Sequence, residues 1–366
     1  MEIKKNKEFI LVLANHFLDL LTTIVITKLL SVNLTKDEYG FYSLILSLLA
    51  LISILPFTSL QTAIERYIVE YKEDNTYEAK YTSLISIHGV LIIFFLVVLY
   101  FTVKYVPEQW SNILFYLIIF IISRIYKALF LTIFNIERRR KIMLFARLLD
   151  MFFQITIISY YLVINKRLNI ENVLLSSIIG NSICNLILFA SNLQITNFKT
   201  LSIKKFISVF LDIFKYSIPL IFWGIFLWFQ NMIGRWYVDT FMGKTDVANY
   251  STMTSLATIP STLIIAIVGH FVVPILYSYE SSNRGIIQKT NKKLFLLVTL
   301  YWILIIGVTF YLKDFLIRFF LDVKYVNVSW SLPLLMLGMA FYSIGQVLIY
   351  EIYYYKKPAV LIFPNI

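Results

Sequence analysis

The chain has 366 residues, of which 59% are hydrophobic and only 15% charged, and its formal net charge is +12. Soluble domains carry about 25% charged residues, so a water-facing globular fold is excluded, and the length instead fits about ten to twelve membrane spans of roughly 20 residues. The basic residues lie in short loops rather than on one aromatic-interleaved surface, which argues against nucleic acid as a partner, and a single cysteine, Cys184, leaves no disulfide or thiolate metal cluster within the chain.

Taken in order, the apolar runs predict spans at Phe9–Leu30, Phe41–Ile68, Thr82–Val103, Ile113–Phe134 and Met143–Val163. Val173–Ala190, Tyr216–Val238, Val247–Leu276, Leu294–Leu312 and Trp330–Tyr350 follow. An eleventh run opens near Pro358 and stops at Ile366, too short to cross about 30 Å of hydrocarbon. The expectation is therefore an all-α polytopic membrane protein whose second bundle is truncated. The first run is too long for the apolar core of a cleavable signal and has no small-residue cleavage site.

Loop charges set the orientation. Lys4, Lys5 and Lys7, then Arg66, Lys72 and Lys80, then Arg138 to Lys141 fall on one side. Lysines and arginines of later alternate loops bring that side to about 20 positive charges, against about 9 opposite. This places the amino terminus in the cytoplasm; the chain is expected in the cytoplasmic membrane, and its basic, Ile-, Lys- and Asn-rich composition hints at an AT-rich bacterial genome.

A repeat organises the spans. Glu38-Tyr-Gly-Phe-Tyr42-Ser43, with Ser47-Leu48 beyond it, recurs as Asp246-Val-Ala-Asn-Tyr250-Ser251 with Ser255-Leu256. The offset of about 208 residues is an even number of spans, which implies a parallel repeat about an axis along the membrane normal. Two such halves make twelve spans in the parent fold, as two six-helix bundles. The domains expected are 1–195 for the first bundle, 196–215 for a cytoplasmic connector and 216–366 for the second bundle. Within the connector, Lys204 to Lys215 is apolar at helical spacing and reads as a helix in the membrane interface.

Polar side chains inside spans are expensive in lipid and mark cavities or partners. Asn15 and Asp19 share a face of the first span, with His16 beside them. Gln61, Glu65 and Arg66 end the second; Arg124 and Lys127 share a face of the fourth. Arg147, Asp150 and Gln154 follow in the fifth, Asn181 and Asn185 in the sixth, and Gln230, Asn231 and Arg235 in the seventh. Plainer readings stand beside these. Lys28 reads as snorkelling to the interface and Lys127 admits that reading; Arg147 and Asp150 read equally as a structural pair; His16 and His270 read as packed histidines. Pro56, Pro219, Pro260 and Pro274 interrupt or open spans, as bent helices beside a cavity do. No soluble-enzyme motif and no connector long enough for a catalytic domain are found, so no catalytic residue, metal ligand or cofactor is assigned.

Lys36-Asp-Glu-Tyr-Gly-Phe-Tyr-Ser, followed by Ala63-Ile-Glu-Arg66-Tyr, resembles the start of Wzx-type polysaccharide flippases. So do Lys215-Tyr-Ser-Ile-Pro219-Leu, Trp228-Phe-Gln-Asn231-Met-Ile-Gly-Arg235-Trp-Tyr-Val and Gly243-Lys-Thr-Asp-Val-Ala-Asn-Tyr250-Ser. These belong to the multidrug, oligosaccharidyl-lipid and polysaccharide exporters. The resemblance implies a transporter of undecaprenyl-pyrophosphate-linked repeat units, with Arg66 and Arg235 near the cavity. Gly234 stands where an acidic residue often precedes that second arginine, and Ser59 where a glycine often precedes the first. On the physics, Arg66, Arg124 and Arg235 suit an anionic head group, Asn15, Gln61 and Asn231 suit sugar hydroxyls, and Asp19, Glu65 or Asp150 suit a coupling proton or sodium ion. The implied partners are a lipid-linked oligosaccharide, the lipid bilayer and other membrane proteins of polysaccharide assembly. A cation-coupled drug exporter, on account of Asp19, and a lipid-linked peptidoglycan precursor flippase are the alternatives. A polysaccharide polymerase fits less well, because every outer loop is short.

Overall fold

A backbone group left unpaired in hydrocarbon costs several kcal/mol, so a span must close its hydrogen bonds within itself. The computed structural model describes residues 2–71, 77–102, 108–192, 203–268 and 284–354, and all regular structure there is helical. In chain order the helices are α1 (Glu2–Asn33), α2 (Lys36–Ile52), α3 (Ser59–Tyr71), α4 (Tyr77–Thr102), α5 (Glu108–Ser111) and α6 (Leu114–Ile136). There follow α7 (Arg140–Asn165), α8 (Ile170–Ala190), α9 (Ile203–Met242), α10 (Lys244–Ile267), α11 (Arg284–Phe320) and α12 (Ser331–Tyr354). Ten stretches among the described residues are long and apolar enough to cross a membrane, and they coincide with the ten spans read from the sequence. The protein is an all-helical, multi-pass membrane protein.

Breaks and joins follow local chemistry. Pro56 lies in a π-helical turn, Ser53–Thr58, where Leu55 leaves helical geometry (φ −100, ψ 98) between α2 and α3. Pro219 and Pro260, by contrast, lie inside α9 and α10 without ending them, so the expected interruptions are not found there. Residues 203–215 and 216–242 form one 40-residue helix, α9. His270 and Pro274 lie outside the described residues. The start of α2 carries a capping box: Glu38 Oε2 accepts from the Thr35 amide at 2.9 Å, and Thr35 Oγ1 accepts from the Glu38 amide at 3.2 Å. In the second copy of the repeat the corresponding turn is made by Gly243, whose φ of +90° suits a residue without a Cβ.

The chain divides into two compact units. The first comprises residues 1–26 and 44–233. Its core gathers Leu60 and Ile64 of α3, Tyr81 of α4, Phe134 of α6 and Ala146 of α7 with Cys184 and Leu188 of α8, all buried. Along one end of this unit three consecutive arginines have separate fates. Arg138 is exposed at the α6–α7 turn. Arg139 donates to the Ser191 carbonyl at 2.9 Å and to Asn192 Oδ1 at 3.1 Å, holding the carboxyl end of α8, and its guanidinium lies 4.5 Å from the Phe134 ring. Arg140 Nη1 donates to the Glu8 carbonyl at 3.4 Å.

The second unit comprises residues 27–43 and 234–366. Here α10 and α11 pack on α12, with Trp302 Nε1 donating to Ser343 Oγ at 2.5 Å. Lys28 does not snorkel. It donates to the Arg318 carbonyl at 2.8 Å and to that of Leu321, at the end of α11. Lys324 reciprocates by donating to the Leu34 carbonyl at 2.5 Å, at the end of α1. Lys28 thus sits at the negative end of α11, and Lys324 at that of α1. Burial pushes the Lys324 ammonium below the ordinary lysine value, and Asp322 pulls it back up.

Candidate functional site

The polar residues flagged in the spans separate into two groups. In the first unit, α6, α7 and α8 bring Lys127, Asp150, Gln154, Asn181 and Ser123 together. Lys127 Nζ pairs with Asp150 Oδ2 and donates to Asn181 Oδ1 at 3.0 Å. The other Asp150 oxygen accepts from Gln154 Nε2 at 2.7 Å, and Asn181 Nδ2 donates to Ser123 Oγ at 3.4 Å. Asp150, Gln154, Asn181 and Ser123 are all buried. Gly180 permits this approach, since a Cβ there would lie 2.7 Å from the Gln154 side chain and 2.9 Å from the Asp150 carbonyl.

Beside it, Arg147 Nη1 donates to Asp19 Oδ2 at 2.5 Å and to the Asn15 carbonyl at 3.4 Å. Arg147 and Asp150 therefore do not pair with each other. They are three apart on α7, but Arg147 reaches α1 and Asp150 reaches α6 and α8. Lys127 likewise points inward to a carboxylate instead of snorkelling. Asn15 is buried and donates to the Leu11 carbonyl at 2.8 Å and the Arg140 carbonyl at 3.4 Å. Asp19 is half exposed, unlike Asp150. His16 is exposed, not packed. Next to this cluster α4, α6 and α8 line a groove of about 620 Å³, walled by Ile85, Gly89, Ile119, Tyr126 and Phe130, with the unsatisfied Asn185 Oδ1 on its lining.

Other flagged residues stand apart. Arg124 is exposed, its guanidinium 6.0 Å from the Phe120 ring. Gln61 is half buried on α3; the side chains of Glu65 and Arg66, one turn on, lie outside the described residues. Asn231 is exposed and its amide bonds the Leu227 carbonyl of its own helix at 2.8 Å.

The second unit holds Arg235. It is half buried, its Nη1 reaches the Ser43 carbonyl only at 3.4 Å, and its Nε has no hydrogen-bond acceptor. No acidic side chain among the described residues pairs with it. Gly234 keeps this neighbourhood open, because a Cβ there would meet the Tyr250 hydroxyl at 2.8 Å. A guanidinium with an unmet donor suits an anion.

Sequence reasoning flagged Lys127 and Arg147 but gave them no part in cargo binding or ion coupling. Their signal was present, as each is a basic residue in mid-span, but the partner of each lies on another helix.

The fold is similar to that of the lipid II flippase MurJ in an inward closed conformation, with a TM-score of 0.70 at 15% identity over 95% of this chain and 76% of that one. It is similar to a mutant of the Vibrio cholerae MATE transporter VcmN, with a TM-score of 0.65 at 13% identity over 97% and 84%. It is also similar to an inward-facing multidrug resistance MATE family transporter of the MOP superfamily, at 0.60 and 10% identity over 91% and 81%. No curated protein matches the chain in sequence. The polysaccharide biosynthesis protein family matches residues 6–280, and the chain belongs to that family.

Proposed function

We propose that this protein is a flippase that moves undecaprenyl-pyrophosphate-linked oligosaccharide repeat units from the cytoplasmic to the outer leaflet, by alternating access, for surface polysaccharides such as O-antigen or capsule. Arg235 carries this reading. A guanidinium with an unmet donor and no carboxylate paired to it among the described residues suits a cargo that brings its own negative charge, and a diphosphate offers bidentate oxygens to it. Family membership supports the sugar-lipid cargo.

In this scheme Arg66 and Arg124 assist with the diphosphate, and Asn15, Gln61 and Asn231 meet sugar hydroxyls. Asp19 and Glu65 are the carboxylates for a coupling proton or sodium ion. The amino terminus faces the cytoplasm of a bacterial cell, and other proteins of polysaccharide assembly work alongside. The protein carries no cofactor and does no bond chemistry.

A second reading, a cation-coupled drug exporter, draws on the half-exposed Asp19 carboxylate. A third, transport of a lipid-linked peptidoglycan precursor, draws on the likeness to MurJ. The test is complementation of flippase-null bacteria that make a defined lipid-linked glycan. Restored surface polysaccharide that is lost on Arg235→Ala at unchanged expression supports the proposal. A well-expressed protein that restores nothing, yet confers resistance to cationic drugs or replaces the precursor flippase, overturns it.

A further inference from the structure

The cluster around Lys127 has the form of a cation cage whose cation is part of the chain. Lys127 enters from α6 between α7 and α8, and its ammonium sits against Asp150 Oδ2 and Asn181 Oδ1. Those two oxygens come from different helices and converge on one point. Gln154 holds the far Asp150 oxygen, and Ser123 holds the Asn181 amide, so the carboxylate and the carboxamide are fixed in orientation toward Nζ. Gly180 lets the helices close around them. A buried carboxylate requires a partner, and here the oxygens available to a free ion are already engaged.

We infer that Lys127 is a tethered cation filling a monovalent-cation site formed by Asp150 and Asn181, and that deleting its side chain opens that site to free sodium or methylammonium. In the intact protein Asp150 is thereby held from exchanging a cation with solvent. Asp19 differs in the relevant respect. Its side chain is 52% exposed and accepts from Arg147 Nη1, so it is not enclosed as Asp150 is. Within the proposed transport cycle this narrows the coupling carboxylates to Asp19 and Glu65. That narrowing rests on the transporter reading; the cage itself does not.

The experiment measures thermal unfolding of purified protein in detergent, for the intact chain, Lys127→Ala and Lys127→Ala/Asp150→Asn. Sodium chloride or methylammonium chloride is titrated against choline chloride at constant ionic strength. The Lys127→Ala protein is expected to gain about 3 °C or more over the intact chain's own response, saturably, in at least one of the two small cations. That gain is expected to vanish in Lys127→Ala/Asp150→Asn. A flat response of Lys127→Ala, or a gain that survives Asp150→Asn, overturns the inference. Should Lys127→Ala fail to fold, the uncharged pair Lys127→Met/Asp150→Asn decides the matter. Folding of that pair at a Tm near that of the intact chain supports a purely cationic role for Lys127, and its failure to fold overturns it. The readout is binding, so it stands or falls independently of whether the protein transports a sugar lipid.

Discussion

Ser43 Oγ donates to Ser251 Oγ at 2.6 Å, and the two serines occupy the same place in the two copies of the 208-residue repeat. The pairing is general at this seam. Asp37 and Thr245, also 208 apart, are hydrogen-bonded through Asp37 Oδ1. Gly40 faces its own counterpart, Ala248, with a Cβ at Gly40 overlapping the Lys244 carbonyl and lying 3.3 Å from the Ala248 amide nitrogen. Residues that meet their own equivalents lie on a local two-fold axis.

Gly40→Ala should therefore cost more than either serine change. The clash falls on backbone, which cannot rotate away, and overpacking of this kind costs about 1–3 kcal/mol. Ser43→Ala and Ser251→Ala should each cost about 1 kcal/mol, and the double variant clearly less than their sum, because they share one bond. Thermal or denaturant unfolding of the four proteins checks this. Additivity of the serine changes would contradict the shared bond.

The two carboxylates of the first unit should respond unequally to truncation. Asp150→Ala strands Lys127 among buried groups, a loss of about 3–5 kcal/mol. Asp19→Ala should cost less, about 1–3 kcal/mol, because the Arg147 it leaves is 16% exposed but keeps its bond to the Asn15 carbonyl. Unfolding midpoints in the same detergent decide the order.

Arg235 should separate stability from function. Removing a guanidinium with an unmet donor relieves a desolvation cost. Arg235→Met is expected to leave Tm unchanged or raised, while transport of a lipid-linked oligosaccharide in reconstituted vesicles falls at least about tenfold, which is about 1.4 kcal/mol of cargo stabilisation. A parallel fall in Tm would make the residue structural.

The arginine run offers an internal control. Arg139→Met removes two bonds to the end of α8 and should cost about 2 kcal/mol. Arg138→Met, with its side chain 71% exposed, should cost close to nothing. Equal effects would show that charge in this loop, rather than the bonds of Arg139, is what the fold uses.

The helices were readable because lipid removes the ambiguity of a short apolar run: nothing but a helix satisfies its backbone. The repeat was readable too, from Tyr42-Ser43 and Tyr250-Ser251, although not the fact that its copies touch. Partner choice was not readable. Arg147 and Asp150 are neighbours on one helix, so spacing suggested a pair, whereas Arg147 is drawn to Asp19 of α1 and Asp150 to Lys127 of the preceding helix, α6. The same holds for Lys28, whose acceptors are backbone carbonyls roughly 290 residues away, which carry no side-chain signature. Pro219 and Pro260 suggested breaks, yet proline costs a membrane helix little when its neighbours or ordered groups take up the freed carbonyl.

The crossed lysines of the second unit have one more implication. The bonds that Lys28 and Lys324 make at the ends of α11 and α1 pair an ammonium with a peptide carbonyl, and neither contains a carboxylate. Ordinary salt bridges loosen in acid as their carboxylates take up protons, whereas an amide oxygen does not titrate in that range. This fastening is consequently acid-proof: protonation of carboxylates elsewhere in the chain leaves both lysine bonds in place.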